Sequence, residues 1–292
     1  GEFIDNESKF MSMSMNKSVT SYILGHAICD GYIGGIDDRI NDWPLLSNTL
    51  YENQKLIDFL NMSVGDQKYI NEFKKGTTGH PLADLTYEYE TNDIFSTIGL
   101  FFKNSEKSKS YYNYNGFITQ LLFNYIKHKT GEDFQKILNK VFQDKVKIKH
   151  SVHFGKMRNT SDKLGSGHPM VRMTRFDYLR LAKAIMDDYQ NDTCVGKYLK
   201  EIHKRRIPKK YNENKHEPAF NRTKSYGGQF HMDYPGLKNK VVFGMGGYGG
   251  RAILIDVENS RIVVLNSLHY NNDKFRYNVK KLLIDPIKKG MN

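Results

Sequence analysis

The sequence predicts an α/β (α+β) protein in which helices come first and an antiparallel β-meander comes late. Apolar residues recur at helical spacing in several segments before residue 190. After Tyr226 the chain becomes rich in glycine and contains short strand-like runs. A closing segment, 273–289, returns to a helical pattern. Helices followed by a meander and a last helix favour a mixed body with a helical insertion.

Periodicity and turn residues predict the individual elements. The predicted helices are 14–31, 54–62, 93–102, 115–128, 132–142, 174–189 and 273–289. Thr174 is the expected N-cap of one of them, and Thr130-Gly131 is the expected end of another. The predicted strands are 240–243, 251–257 and 261–268, with Glu258-Asn259-Ser260 as the turn between the last two.

Length and composition indicate a soluble, core-forming protein. The chain has 292 residues, which suits one large domain or two closely joined ones, and 39% of them are hydrophobic. Its mean hydropathy is −0.62. No apolar run reaches the ~18 residues of a transmembrane helix, so we expect no membrane span. The compartment stays open between periplasm and cytoplasm, and the oligomeric state stays open too.

The net charge of +12 raises the possibility of an anionic partner. The basic residues, however, are spread along the chain. The densest runs are not interleaved with stacking aromatics; they are Lys204-Arg205-Arg206 with Lys209-Lys210, and Lys280-Lys281 with Lys288-Lys289. We therefore expect a solvated basic surface and no nucleic-acid partner.

Cysteine and histidine usage indicates no metal chemistry. Cys29 and Cys194 lie far apart, form no C-x-x-C pair and are not expected to be a disulfide framework. Cys29 falls in an apolar helix and is interpreted as a small core residue. The ten histidines form no ligand-spaced cluster. We predict no metal site and no cofactor.

The most informative motif is Ser14-Met15-Asn16-Lys17 at the start of a predicted helix. Residues i and i+3 share a helix face, so Lys17 can reach the Ser14 hydroxyl. Serine needs an adjacent base to act as a nucleophile, and burial lowers the pKa of a lysine until it can accept a proton. The alternative is that Ser14 only caps the helix and Lys17 is solvated.

An ordered series of motifs accompanies this one. It comprises residues 12–21, 25–33, 36–40 and 60–65, and the matches extend over roughly 10–285. In this series the chain resembles the serine β-lactamase and penicillin-recognising superfamily. The branch it is most similar to is related to class C β-lactamases and includes esterases, D-amino-acid peptidases and 6-aminohexanoate-dimer hydrolases.

The resemblance implies a β-lactamase/transpeptidase-like fold, with an antiparallel sheet flanked by helices and an all-helical subdomain. Residues 1–34 and 171–292 would form the sheet domain, and 35–170 the helical subdomain. Only 13 residues precede Ser14, where the family places sheet strands. We therefore expect N-terminal residues and one or two edge strands to be missing.

The family's second motif is a tyrosine that begins a helix ending in Thr-Gly. Tyr111, Tyr112 and Tyr114 compete for this place, and the family spacing to Gly131 selects Tyr114. The resemblance implies that Tyr114 is a general base and acid beside Lys17. The alternative is a run of half-buried surface aromatics.

The residues that follow Tyr114 depart from the family pattern. Gly116 stands where the family has Asn or Ser, which removes one substrate-positioning hydrogen bond, and Asn115 is the candidate to supply it.

The third motif resembles residues 246–251, where Gly249 and Gly250 would let substrate approach a strand. By resemblance, the backbone N–H of Arg251 joins that of Ser14 in an oxyanion hole. Tyr248 stands where β-lactamases carry Lys or His, which disfavours β-lactam substrates. The alternative is a glycine-rich turn without chemistry.

These observations lead to a serine hydrolase hypothesis with a small-molecule ester or amide as substrate. The catalytic set would be Ser14, Lys17 and Tyr114, with Tyr248, Gly249, Gly250, Arg251 and Asn115 binding substrate or oxyanion. Two alternatives stay open: a penicillin-binding-like module that binds without turnover, favoured by Gly116, and a true β-lactamase.

Overall fold

The computed structural model describes residues 4–67, 69, 94–156, 167–209, 223–237, 239–247, 249–266 and 280–290. The elements are, in chain order, β1 (Lys9–Met11), α1 (Asn16–Cys29), α2 (Leu56–Leu60), α3 (Ile94–Thr97), α4 (Phe117–Thr130), α5 (Phe134–Asn139), β2 (His153–Lys156), β3 (Gly167–Thr174), α6 (Arg175–Gln190), α7 (Cys194–Lys204), β4 (Ile207–Pro208), β5 (Ser225–Gly227), β6 (Phe230–Met232), β7 (Val242–Gly247), β8 (Arg251–Asp256), β9 (Arg261–Leu265) and α8 (Asp285–Lys289). A 3₁₀ turn, Met13–Met15, joins β1 to α1. Single π-helical turns follow α3 (Ile98–Phe102) and α5 (Lys140–Lys145), and another precedes α8 (Lys280–Ile284).

The strands form two antiparallel sheets. The smaller has the order β1-β3-β2, and the larger has the order β4-β5-β6-β7-β8-β9. In the larger sheet each strand pairs with the next one along the chain, so the sheet is a meander, as the late part of the sequence predicts. The β7–β8 pair is in register from Val242↔Asp256 to Gly247↔Arg251.

Helix α1 is the central element of the core. Every residue from Asn16 to Ala27 is buried, and the helix packs against α4, α5, α7 and β3. A helix that is covered on all sides needs no amphipathic stripe. Its N-terminal end, next to the turn Met13–Met15, is therefore held from several directions.

Long, strongly periodic helices are where sequence and structure agree best. The predictions at 14–31, 115–128 and 174–189 are confirmed as α1, α4 and α6. The Thr174 hydroxyl accepts the Asp177 backbone N–H at 3.1 Å, which confirms the predicted N-cap. Helix α4 ends at Thr130, and Gly131 follows with φ of +53°.

Other predicted elements are shorter or displaced. The segment 54–62 forms only α2, whereas 93–102 and 132–142 each combine an α-helical and a π-helical turn. The strand predicted at 240–243 is β7, which begins at Val242 and runs on to Gly247. Strands 251–257 and 261–268 are confirmed as β8 and β9 with earlier ends. Of the predicted helix 273–289, the described part is 280–289.

Helix α7 and the strands β1 to β6 were not predicted. Several of these strands are two or three residues long, too short for apolar and polar residues to alternate visibly.

The proposed division into a sheet domain and a helical subdomain stays a prediction. Among the described helices, none combines the length and the apolar character that crossing a membrane requires.

The expectation about the cysteines was wrong. Cys29 and Cys194 form a disulfide across 165 positions of sequence. Cys29 is the last residue of α1 and Cys194 the first of α7, and these helices pack against each other. Their Cα atoms lie 5.8 Å apart, within the range that a disulfide spans. Sequence distance gave no indication of this contact, because it arises only from helix packing.

Candidate active site

Ser14 lies in the 3₁₀ turn between β1 and α1, and Ser12 anchors that turn to the smaller sheet. The Ser12 N–H donates to the Val171 carbonyl at 2.7 Å, and the Val171 N–H donates to the Ser12 hydroxyl at 3.1 Å. Met13 then adopts a positive φ of 47°, a strained conformation for a residue with a side chain. Such strain is typical of functional sites. It places Ser14 half-buried at the head of α1.

Lys17 is the second residue of α1 and faces Ser14. Its Nζ is 3.3 Å from the Ser14 hydroxyl oxygen, and only 5% of the residue is exposed. Burial removes the solvation of the charged form, and this lowers the pKa of Lys17 to about 8. A lysine in this state can hold or release a proton near neutral pH, which is what a base beside a serine requires.

The capping interpretation of Ser14 does not fit the geometry. The N-cap of α1 is Met15, and no side chain caps the helix there. Ser12, which precedes the 3₁₀ turn, makes no side-chain cap either. The serine hydroxyl is therefore directed to Lys17, and the alternative of a solvated Lys17 is excluded by its burial.

The ring of Tyr114 also lies against Lys17. The Lys17 ammonium lies 4.9 Å from the centroid of the Tyr114 ring, within cation–π range. Tyr114 is thus brought next to Lys17, the neighbour of Ser14, although it lies 100 positions after Ser14 in sequence. The choice of Tyr114 rather than Tyr111 or Tyr112 as the general base beside Lys17 stays a prediction.

The chain on both sides of Tyr114 is fixed by Asp66. This buried carboxylate accepts from the side-chain amides of Asn113, at 3.3 Å, and Asn115, at 3.2 Å. The Tyr51 hydroxyl also donates to it, at 3.4 Å. Burial raises the pKa of Asp66 to about 6, against the lowering effect of these hydrogen bonds. Asp66 was missed by the sequence analysis, since a lone aspartate in a Gly-Asp turn carries no signal of burial.

Asn115 is engaged within the protein through both ends of its amide. The Asn115 carbonyl oxygen accepts the Ile118 N–H at 3.0 Å, and its amide nitrogen also donates to the Asn113 carbonyl at 3.1 Å. It therefore secures the start of α4, where Gly116 is the N-cap.

Strand β7, next to the β7–β8 corner, lies against the turn Met13–Met15 that carries Ser14. A Cβ at Gly247 would meet the Ser12 carbonyl oxygen at 2.7 Å, so only glycine allows this approach. Gly249 and Gly250 make the corner with φ of +82° and +80°. Arg251 pairs with Gly247 across it and is itself buried. The prediction for Tyr248 lies outside the described residues.

A second cation, unpredicted from sequence, lies near Tyr114. Lys209 is buried, and its Nζ is 2.8 Å from Nδ1 of His231. The same nitrogen lies 5.4 Å and 5.6 Å from the ring centroids of Tyr112 and Tyr226. A lysine in a basic run looks solvated in sequence, so only the fold reveals this position.

In the part of the chain that the structure describes, no cluster of three or more His, Cys, Asp or Glu residues could hold a metal ion.

Comparison with other proteins gives no match by sequence, either to a family model or to a curated protein. Solved structures, by contrast, match over most of the chain. Simvastatin synthase (LovD) from Aspergillus terreus has a TM-score of 0.66 at 12% identity, covering 96% of this chain and 82% of its own. A D-amino acid amidase from Ochrobactrum anthropi SV3, solved with L-phenylalanine, has a TM-score of 0.60 at 14% identity, covering 88% of this chain and 75% of its own.

A class C β-lactamase from Rhodobacter sphaeroides is also similar, with a TM-score of 0.57 at 16% identity. The match covers 92% of this chain and 83% of the β-lactamase. Penicillin-binding proteins share the same architecture. The β-lactamase/transpeptidase-like fold predicted from the ordered motifs is therefore confirmed.

Proposed function

We propose that this protein is a serine hydrolase that cleaves an ester or amide bond through an acyl-enzyme on Ser14. The observation that carries the proposal is the contact between the buried amine of Lys17 and the Ser14 hydroxyl, at 3.3 Å. The fold is in keeping with it, since a β-lactamase and an amidase share this architecture.

In the proposed mechanism, the Ser14 oxygen attacks the substrate carbonyl while its proton passes to Lys17 and Tyr114. A Lys17 pKa near 8 leaves a useful fraction of neutral amine at neutral pH. Backbone N–H groups of Ser14 and Arg251 stabilise the oxyanion of the tetrahedral intermediate. The side chain of Arg251 is buried, so its contribution is assigned to its backbone.

Collapse of the intermediate breaks the bond to the alcohol or amine, which leaves with a proton from Tyr114. Water then attacks the acyl-serine and gives a proton to the Lys17–Tyr114 pair, which passes it to the Ser14 oxygen as the bond to the acyl group breaks and the acid is released. We assign Asn115 and Asp66 a positioning role, because their hydrogen bonds hold the segment that carries Tyr114.

The preferred substrate is a small ester or amide rather than a β-lactam. Tyr248 has no charge with which to hold a β-lactam carboxylate. Gly249 and Gly250 make the β7–β8 corner with positive φ and carry no side chain, and we assign them the strand edge that a substrate approaches.

The test is a burst experiment with p-nitrophenyl butyrate, its amide counterpart butyric acid p-nitroanilide, and nitrocefin. We expect a stoichiometric burst of p-nitrophenol from the ester or p-nitroaniline from the amide, then slower turnover, and slower or no reaction with nitrocefin. Ser14→Ala should lose roughly 10⁴-fold or more in rate, as nucleophile deletions do in other serine hydrolases. A burst without turnover would instead identify a covalent binding module, and turnover in Ser14→Ala would exclude Ser14 as nucleophile.

A further inference from the structure

Lys209 is a buried cation in the aromatic surroundings of Tyr114. It exposes only 7% of its surface, and its Nζ lies 5.4 Å and 5.6 Å from the ring centroids of Tyr112 and Tyr226, within cation–π range of both. Both rings also lie close to Tyr114, with centroid distances of 6.4 Å from Tyr112 and 6.1 Å from Tyr226. Burying an ammonium is costly, and a lysine kept at such a place beside a reaction centre favours a functional role.

His231 connects this cation to Tyr114. Its ring lies 6.0 Å from the Tyr114 ring, with an angle of 29° between the planes. Its Nδ1 lies 2.8 Å from the Lys209 ammonium. When Lys209 is charged it can only donate, and Nδ1 then accepts with the ring proton on Nε2.

The backbone holds Lys209 and His231 in place. The Lys209 N–H donates to the Lys224 carbonyl at 2.9 Å, next to the β4–β5 pair. His231 follows Gln229, whose buried side chain donates to the Phe59 carbonyl at 3.0 Å and accepts from the Thr119 hydroxyl at 2.8 Å. Strand β6 is thereby tied to the residues of α2 and α4, so the geometry around Tyr114 is preorganised.

We propose that Lys209 and His231 are positioning residues that stabilise the phenolate form of Tyr114, and that Tyr114 is thereby prepared to accept the Ser14 proton. The part of this inference that concerns catalysis rests on the proposed function. Lys17 and Tyr114 act as a pair that shares one proton. In the form of the pair with a charged Lys17 and a Tyr114 phenolate, Lys17 supplies positive charge on one side of the ring and Lys209 supplies it from beyond His231 on another. Two cations in a low-dielectric region stabilise an anion more strongly than one.

Several titratable groups surround Tyr114. They are Lys17 on α1, Tyr112 on the same segment, Tyr226 on β5, His231 on β6 and Lys209 after β4. Asp66 acts more remotely, through Asn115. Asp66 is a carboxylate, and its negative charge opposes formation of the Tyr114 phenolate. The effect of Lys209 must therefore be isolated by variants that leave Asp66 and Lys17 intact.

The direct test is an NMR titration with ¹³Cζ-labelled tyrosine, in which Tyr114→Phe assigns the resonance. In Lys209→Met the Tyr114 midpoint should move to higher pH by about one unit or more, because a nearby cation has been removed. Lys209→Arg should restore the native midpoint. Lys200→Met is the matched control, because Lys200 also lies over a tyrosine ring, that of Tyr189 at 5.2 Å.

A second variant separates charge from packing. His231→Phe keeps an aromatic ring against Tyr114 but removes the acceptor of the Lys209 hydrogen bond, so it should shift the midpoint in the same direction. Coincident Tyr114 titrations in native protein and Lys209→Met would overturn the proposal. A shift of equal size in Lys200→Met would overturn it too, since it would reflect net charge alone.

The catalytic part is tested by the pH profile of fluorophosphonate labelling. Lys209→Met should lose about tenfold in labelling rate at pH 7.5 and recover at high pH, whereas a merely structural defect lowers the rate at every pH. If the native protein is never labelled, the proposed function fails, and the titration still decides whether Lys209 acts on Tyr114.

Discussion

The Lys17 ammonium nitrogen lies 3.3 Å from the Ser14 hydroxyl oxygen, at the buried end of α1. Burial lowers the pKa of Lys17 to about 8, while Ser14 stays half-buried. The same desolvation that makes the lysine a usable base also costs folding free energy, and both effects can be measured.

The first prediction concerns the pH dependence of Ser14 reactivity. Only neutral Lys17 can accept a proton, so the rate of fluorophosphonate labelling should rise with pH and level off above about 8. Stopped-time labelling between pH 6 and 10 gives the profile. A rate that is flat from pH 6 to 9 would mean that Lys17 is not the base.

The second prediction concerns stability. The pKa of Lys17 is about 8 in the folded protein and near 10.5 when unfolded, so the unfolded chain binds more protons between these values. The free energy of unfolding then rises with pH across that window. Lys17→Met should therefore stabilise the protein below pH 8 by up to roughly 3 kcal/mol.

This gain should shrink between pH 8 and 10.5, because Lys17 loses its proton first in the folded protein and is neutral in both states only above about 10.5. Urea unfolding at pH 7 and pH 10 measures it. A Lys17→Met variant that is less stable than the native protein at pH 7 would contradict the account of the buried amine.

The third prediction concerns the Cys29–Cys194 disulfide. It closes a loop with a sequence separation of 165, for which loop-closure entropy gives about 5 kcal/mol as an upper value. The double variant Cys29→Ser/Cys194→Ser should lose about 2–5 kcal/mol of unfolding free energy. A reductant should lower the Tm of the native protein and leave that of the double variant unchanged.

Ser14 labelling at low temperature should survive the loss of the disulfide. Cys29 lies roughly 20 Å along α1 from Lys17, because a helix rises about 1.5 Å per residue. A native Tm that does not respond to reductant would argue against the bond.

The fourth prediction concerns the close approach of Gly247 on β7 to Ser12, at the start of the turn that carries Ser14. In Gly247→Ala the new Cβ would lie 2.7 Å from the Ser12 carbonyl oxygen, so the turn or the strand must move. We expect a cost of about 1–3 kcal/mol in stability and at least tenfold slower labelling of Ser14. Gly35→Ala is the control, since a Cβ there meets nothing within 4 Å. Equal labelling rates in the two variants would show that the Gly247 approach does not position Ser14.

Local pattern was enough to predict much of the fold. Helices α1, α4 and α6 have many apolar residues at regular spacing, and Thr174 and Gly131 mark their ends with ordinary capping chemistry. Strands β7 to β9 are joined by short turns, so their antiparallel pairing follows from the sequence. The S-x-x-K spacing predicted the Ser14–Lys17 contact for the same reason, because both residues lie within one helical turn.

What could not be predicted depends on contacts between distant segments. Asp66 and Lys209 are charged residues in polar stretches, and nothing local distinguishes them from solvated ones. Asp66 is buried where it binds Asn113 and Asn115, on either side of Tyr114. Lys209 is buried where the segment around Tyr114 packs against β5 and β6. The disulfide was missed for a similar reason, since α1 and α7 become neighbours only in the folded core.

The most direct test of the central claim is intact-mass spectrometry after reaction with a fluorophosphonate, with native protein and Ser14→Ala side by side at pH 8.5. The account predicts one adduct per chain in the native protein, located on Ser14 by peptide mapping, and none in Ser14→Ala. Folded native protein that acquires no adduct, or an adduct that persists in Ser14→Ala, would contradict the assignment of Ser14 as an activated nucleophile.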